Sequence, residues 1–434
     1  MDRRIEQLRS FLDQAHSVYH GIRLLTGELE QEGYRALPEE QEWKPEPGGR
    51  YYVTRGGSSL VAFRIPHESV SGFMISAGHS DRPTFKVKEN GELKGAYTRL
   101  ATEPYGGMLM STWLDRPLSV AGRVFVQTEN GIECKLVDID RDLLLIPNVA
   151  IHMNRKANEG VPWNPAVDML PMLGGGDGAG KLQKLLEETA GGKIMGHDLY
   201  LYNRQKTALW GVSEEYLSAP ALDDLACAWC CTQGFLNAPE SRMLPVLCVF
   251  DSEEVGSASV QGAGSTFLED VLTRICHACG LDLRQQLRRS FMISADNAHA
   301  VHPNHPEYAD ASNAPVMGGG VVLKFNAAQR YTTDGLSAAV FRKFCGDARV
   351  PVQTYYNRAD MPGGSTLGNI SLAHVSVSTV DIGLPQLAMH SSFETVSVQD
   401  VLWLCQAMEC CYGAQLEVCG DGTLDIRTKY GKNA

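Results

Sequence analysis

The sequence predicts an α/β fold, a sheet covered by helices on both faces and interrupted by a β-rich insertion. Three observations carry this expectation. From about residue 207 onward, the apolar runs PVLCVF, FMISAD and HVSVSTVDIG alternate with the helical stretches LACAWCCTQGFL, STFLEDVLTRICHAC and VSVQDVLWLCQAMECCYG. Strands alternating with helices in this way bury both faces of a sheet. Closer to the start, residues 51–65 are β-rich and residues 72–78, GFMISAG, form a continuous apolar run suited to a buried central strand. Between these regions the pattern changes to short alternating strands such as GRVFVQ and LLLIPNV, a glycine-rich loop at 174–180 and one helix near KLQKLLEET. The boundaries that follow are 1–86, 87–206 and 207–434, with the middle part a separate β-rich domain.

The N-terminal segment reads as an amphipathic helix, with Ile5, Leu8, Leu12 and His16 on one face, followed by the charged, proline-bearing stretch EEQEWKPEPGG. The whole chain of 434 residues, 44% hydrophobic and 21% charged, can bury a large core. Its formal charge of −12, from 39 basic and 51 acidic residues, argues against nucleic-acid or anionic-membrane partners, because phosphate attraction needs a basic surface. The first twenty residues lack the apolar core of a signal peptide, and no apolar run is long enough to span a bilayer. Twelve scattered cysteines suit reduced, buried thiols in a cytoplasmic protein better than a disulfide frame.

Two local patterns are set aside. Cys276-His277-Ala278-Cys279 has the spacing of a redox or zinc motif, yet Val271, Leu272, Ile275 and Cys279 fall at helical spacing, so a structural helix is expected. Gly175 to Lys181 reads GGDGAGK, the first seven positions of a phosphate-binding loop, but Leu182 stands where the magnesium-binding hydroxyl is needed and no apolar strand feeds the loop. A mobile surface loop without nucleotide is expected there.

The chemistry is concentrated in five short motifs. In Ala77-Gly78-His79-Ser80-Asp81 an imidazole and a carboxylate stand two apart after the apolar run, where both point the same way and Asp81 can orient the His79 ring. Asp223 and Asp224 open an apolar helix, and a helix cap accounts for one acid but not two. Asp251-Ser252-Glu253-Glu254 follows PVLCVF, and Asp296 follows FMISA with His299, His302 and His305 behind it. His390 lies in LAMHSSFE, where a lone histidine is ordinarily a satisfied core residue. Two histidines and several carboxylates at the ends of central strands of one sheet make an inventory of metal ligands, and zinc hydrolases use these donors. Residue chemistry alone stops at a binuclear hydrolase.

The chain resembles the aspartyl aminopeptidases, a branch of the dinuclear zinc peptidases. The resemblance runs nearly end to end and is carried by WKPEPGGRYYVTRGGSSLVAF, AGHSDRPTFKVK, GGMLMSTWLDRPLSVAGRV, IPNVAIHMNR, APALDDLACA, DSEEVGSASVQGAG, SADNAHAVHPN, QRYTTDG, MPGGSTLG and LPQLAMHSS, in the family's order. It implies a mixed-sheet zinc-peptidase catalytic domain with an inserted dimerisation domain, and hydrolysis of N-terminal residues from short peptides. Two Zn2+ per subunit are implied, with Co2+ or Mn2+ as substitutes: His79 and Asp296 on one ion, Glu254 and His390 on the other, and Asp223 bridging. Asp81 would orient His79, and Glu253 would be the general base. The peptide bond between Asp223 and Asp224 is expected to be cis, as in relatives.

Lys324 aligns with a family lysine suited to an acidic substrate side chain, which points to N-terminal Asp or Glu. His152 resembles a histidine that the inserted domain donates to a neighbouring subunit. Relatives assemble dimers into a tetrahedral dodecamer, so a homo-oligomer is implied. The chain departs from the family at Asp224, where Asn is usual, at Ala221, where Arg is usual, and near Ser392-Phe393, where an Arg is replaced. A neutral or broad-specificity aminopeptidase on the same scaffold, and an inactive scaffold member, remain as alternatives.

Overall fold

The structure is a computed structural model and describes residues 2–361 and 363–429; Pro362 of the MPGGSTLG motif lies outside the described residues. Its largest sheet has nine strands in the order Arg35–Ala36, Arg50–Arg55, Ser59–Arg64, Leu244–Phe250, Phe73–His79, Phe291–Ala295, Ser378–Gly383, Val321–Phe325 and Val352–Tyr356. The sheet is mixed. At its centre, Phe73–His79 pairs in parallel with both Leu244–Phe250 and Phe291–Ala295, and the latter pairs in parallel with Ser378–Gly383. Ser59–Arg64 and Val321–Phe325 join this block antiparallel.

Alternation along the central strands feeds two cores, because successive side chains point to opposite faces. Met74, Leu247, Val249, Phe291 and Ile293 pack on one face with residues of the helices Arg3–Leu12, Val18–Gln31, Leu222–Asn237, Gly335–Ala348 and Val398–Tyr412. Phe73, Ile75, Val246, Cys248 and Met292 pack on the other with the helix Phe267–Cys279. Every residue of Phe73–His79 and of Leu244–Phe250 is buried, as expected of strands covered on both sides.

A second sheet of six strands is ordered Ile132–Asp138, Leu118–Gln127, Ile194–Asn203, Thr84–Leu93, Tyr97–Tyr105 and Met172–Gly175, and it has its own core with the helix Lys181–Ala190. A third, five-stranded sheet joins Ala208–Trp210, Tyr216–Ala219, Glu394–Ser397, Pro385–Leu387 and Ala298–His299.

Several expectations are corrected. LLLIPNV forms isolated bridges at Leu144, Leu145 and Ile146 instead of a strand, since the chain only touches the neighbouring segments there. His16 leaves the first helical face because that helix ends at Leu12 and Ser17 caps the next one; its ring stacks on Tyr202 at 4.1 Å and meets Asp138 at 2.7 Å. Part of the glycine-rich loop is strand, and the helix that follows it is capped from outside. Glu92 accepts hydrogen bonds from the amides of Gly180, Leu182 (3.1 Å) and Gln183 (3.1 Å). A helix N-terminus attracts an anion, and here a side chain of the same chain is that anion. As the helical spacing implies, Cys276 to Cys279 lie in a helix, Phe267–Cys279. Of the twelve cysteines, all free, only Cys134 and Cys419 are exposed.

The helices Leu222–Asn237 and Val398–Tyr412 pack closely at Gly234. A Cβ on Gly234 would lie 2.3 Å from Met408 Cβ and 2.8 Å from the Met408 carbonyl carbon. Neither atom can swing away, so Gly234→Ala is predicted to destabilise the protein by about 1–3 kcal/mol, the ordinary cost of overpacking. The check is thermal unfolding: a midpoint equal to that of the parent would mean that the two helices part without cost.

Candidate metal centre

The parallel pairing of three neighbouring strands brings their C-terminal ends to one edge, and the residues just beyond those ends carry the polar groups. His79 closes its strand, Asp251 to Glu254 follow Phe250, and Asp296 follows Ala295. The other two motifs do not come from this sheet, contrary to the expectation of one sheet for all. Asp223 and His390 lie on segments joined to the five-stranded sheet, after Tyr216–Ala219 and Pro385–Leu387. The Asp223–Asp224 peptide is cis, and both residues depart from helical torsions where the helix begins.

Asp223 is the meeting point. Its Oδ1 lies 3.5 Å from His79 Nε2 and its Oδ2 lies 3.4 Å from His390 Nε2, while His390 Nε2 is also 3.4 Å from Glu254 Oε2. Ligand atoms held about 2.0–2.2 Å from a tetrahedral zinc stand about 3.3–3.6 Å apart, so these separations have the size of ligand edges. His79, Asp223 and Glu254 converge within 4.8 Å, and so do Asp223, Asp224 and Asp296. Buried oxygens at this centre also lack partners: Asp223 Oδ1, Asp224 Oδ1 and Glu254 Oε1 have no hydrogen bond. An unpaired buried carboxylate oxygen is costly, and a cation answers that cost for several at once. The residues therefore fit a metal.

The electrostatics point the same way. Burial, reinforced by the Asp223 charge, raises the Glu254 carboxyl well above its usual range, and burial with neighbouring carboxylates raises Asp224 and Asp296. Glu253 is pushed up to about 8, by burial first and then by Asp296, Asp81 and Asp223 against the opposing His79. Asp223 moves the other way: burial opposes its charge, but the His390 and His79 imidazoles facing it at 3.4 and 3.5 Å hold it well below the ordinary value. The histidines are raised by the same pairings against the effect of burial. Negative charge is in excess here.

Supporting contacts fix these side chains. Asp81 Oδ1 lies 3.3 Å from His79 Nδ1 and accepts from the Glu253 amide at 3.0 Å; its Oδ2 accepts from the Glu254 amide at 3.1 Å. His390 Nδ1 meets the Gly107 carbonyl at 2.5 Å, which leaves Nε2 facing the acids. Asp224 Oδ2 accepts from the His79 amide at 3.0 Å, an approach open because Gly78 has no side chain: a Cβ there would lie 2.8 Å from that oxygen. Glu394 was not anticipated from the sequence. It is 2% exposed and accepts from the His390 amide at 2.7 Å and the Asp223 amide at 3.0 Å. The one available signal was its position four residues after His390 in HSSFE.

A cavity of about 170 Å³ opens beside the centre, lined by Glu253, Asp296, His299, Lys324, Tyr331 and Tyr355 among others. Lys324, 2% exposed, donates to the Asp296 carbonyl at 2.7 Å and the Asn297 carbonyl at 3.3 Å, and stands 3.4 Å from Asp296 Oδ2. His152 is not among the lining residues; it is exposed on a turn of the β-rich region beside Val149, Ile151 and Met153.

Comparison with known proteins gives this geometry its context. The chain is 41% identical over 420 residues to the probable M18 family aminopeptidase 2 of Clostridium acetobutylicum, covering 93% of this chain and 97% of that protein. It superposes on the cryo-EM structure of the Ape4 and Nbr1 complex with a TM-score of 0.89 and 34% identity, covering 93% of this chain and 84% of that one. The S. cerevisiae mApe1 dodecamer gives a TM-score of 0.83 at 25% identity, covering 94% and 95% of the two chains. Residues 11–412 match the aminopeptidase I zinc metalloproteases. A centre of histidines and unpaired carboxylates at the sheet edge is what such a hydrolase requires, and the chain belongs to the M18 peptidase family.

Proposed function

We propose that this M18 aminopeptidase removes N-terminal residues from short peptides with two zinc ions, and that it prefers Asp or Glu at that position. The observation that carries the dizinc reading is Asp223, whose two oxygens face two different imidazoles, His79 at 3.5 Å and His390 at 3.4 Å. A carboxylate so placed can bridge. His79 and Asp296 would then hold one ion, Glu254 and His390 the other, and Co2+ or Mn2+ would substitute through the same donors.

Zinc ions, when bound, polarise a carbonyl and make a water easier to deprotonate. The protein's own part falls to Glu253, which accepts the proton of the attacking water and passes it to the leaving amine. Its backbone is pinned by Asp81. Adjacent glutamates thereby divide the work, Glu254 holding metal and Glu253 moving the proton. Asp81 supports both by orienting His79 and fixing the turn that carries them.

Acidic preference rests on Lys324, a buried cation in the cavity wall. Burial opposes its charge, yet Asp296 raises its pKa, so it stays an ammonium. Its three N–H groups face three protein oxygens, the Asp296 and Asn297 carbonyls and Asp296 Oδ2, so its influence on a substrate acid acts through its field. The same saturation favours the second reading, a neutral or broad preference in which Lys324 serves only to hold Asp296.

The β-rich region 87–206 is proposed to be an inserted dimerisation domain. It exposes Ile132 at 69% and Met153 at 82%, apolar groups that an assembled partner would cover. A homo-oligomer of dimers, up to the dodecamer that the mApe1 structure names for itself, would bring His152 to a neighbouring site. Among the described residues no helix is long and apolar enough to cross a membrane; a cytoplasmic setting is proposed from the buried thiols.

The deciding assay is hydrolysis of Asp-, Glu- and Leu-aminoacyl reporters after chelation and readdition of zinc, cobalt or manganese. Restored cleavage favouring Asp or Glu is expected; restored cleavage favouring Leu would leave the chemistry and remove the specificity, and no cleavage with any metal would point to an inactive scaffold. Glu253→Gln should keep its zinc content and lose turnover by about 10²–10⁴-fold, the usual contribution of acid-base catalysis. Undiminished turnover would take Glu253 out of that role. Lys324→Ala should lose activity selectively on the acidic reporters, whereas an equal loss on Leu would assign the lysine to holding Asp296.

A further inference from the structure

Asp81 has one partner that comes from outside the central sheet. The Tyr105 hydroxyl donates to Asp81 Oδ2 at 2.8 Å, and Tyr105 is the last residue of the strand Tyr97–Tyr105 in the six-stranded sheet. The chain directly after it stays at the metal centre. Gly106, at φ +73°, packs where an added Cβ would be 3.1 Å from Glu254 Cβ, the Gly107 carbonyl meets His390 Nδ1, and the Leu109 amide donates to the His390 carbonyl at 3.0 Å. One short segment of the β-rich layer thus touches Asp81, Glu254 and His390.

Asp81 is 0% exposed, so each hydrogen bond it accepts also fixes its orientation. Oδ1 accepts from the Glu253 amide and stands 3.3 Å from His79 Nδ1, whose ring also meets the Asp81 main-chain carbonyl at 3.1 Å, and Oδ2 accepts from the Glu254 amide and the Tyr105 hydroxyl. Without the hydroxyl, Oδ2 would keep one donor and the carboxylate could turn, which would act on the backbone of both glutamates and move the charge beside the His79 ring.

We propose that Tyr105 is a positioning residue of the metal centre: acting through Asp81, it sets the arrangement of His79 and Glu254 and ties that arrangement to the β-rich layer. The inference rests on the proposed ligand roles of His79 and Glu254. Groups that orient metal ligands from behind commonly change metal affinity about 10- to 100-fold when removed, and a change of that size is expected here.

The test is Tyr105→Phe, which keeps the ring and its edge contact with Tyr200, 5.7 Å between centroids. Tyr200→Phe serves as the companion, removing a hydroxyl from the same aromatic pair that is not bonded to Asp81. Zinc affinity is read by competition with a chromophoric chelator, and the cobalt-substituted proteins are compared by visible absorption. Tyr105→Phe is expected to weaken zinc binding about 10- to 100-fold and to shift the cobalt bands, with the secondary-structure signal of the metal-free protein unchanged and Tyr200→Phe like the parent. Parent-like affinity and bands in Tyr105→Phe would overturn the proposal, as would equal losses in the two variants, which would mean that only the aromatic packing matters. If the parent itself bound no zinc, the ligand assignment would be what fails.

Discussion

Buried negative charge without enough positive charge is the constraint on which this structure depends. Asp81, Asp223, Asp224, Glu253, Glu254 and Asp296 gather at one sheet edge, most of them almost wholly buried, with His79, His299, His390, Lys324 and Arg82 as nearby cations or potential cations. Charges of one sign in a medium of low dielectric raise one another's energy. A fold holds such a group by donating hydrogen bonds to its oxygens, by keeping some of the carboxyls protonated or by admitting a cation, and the unpartnered oxygens show where the first route stops.

The topology serves this constraint. Parallel strands deliver their following residues to a common edge, so three of the polar motifs arrive together without long loops. The remaining two come from a smaller sheet that stands against that edge, and Glu394 stitches them by accepting both the Asp223 and the His390 amides. The polar side chains of the centre thus belong to two separately built layers, and a third layer reaches in through residues 105–109. A centre assembled from three layers is rigid only if all three are docked.

Much of this was legible in the sequence because the polar motifs are local. An imidazole and a carboxylate two apart after an apolar run, or paired acids after another, carry their chemistry within a few residues. The apolar runs likewise announced the central strands, since strands buried on both faces lose polar alternation. What could not be read were contacts across great sequence distance: His390 with Gly107, Asp223 with Glu394, and Cys227 Sγ donating to Asn297 Oδ1 at 3.0 Å. Nothing near Gly107 marks its carbonyl as special. LLLIPNV and His16 misled for a related reason, because apolar pattern reports burial and leaves open whether neighbours complete a strand or a helix ends early.

The distribution of thiols has a practical consequence. Ten of the twelve cysteines are wholly or partly withdrawn into the core, while Cys134 stands on the outermost strand of the six-stranded sheet and Cys419 on the hairpin Gln415–Gly420 with Thr423–Arg427. The native chain therefore carries two ready attachment points for thiol chemistry, one on each of two separate sheets. A donor and an acceptor fluorophore placed there would turn the chain, without engineering, into a ruler for the separation between its layers as metal, peptide or partner is supplied.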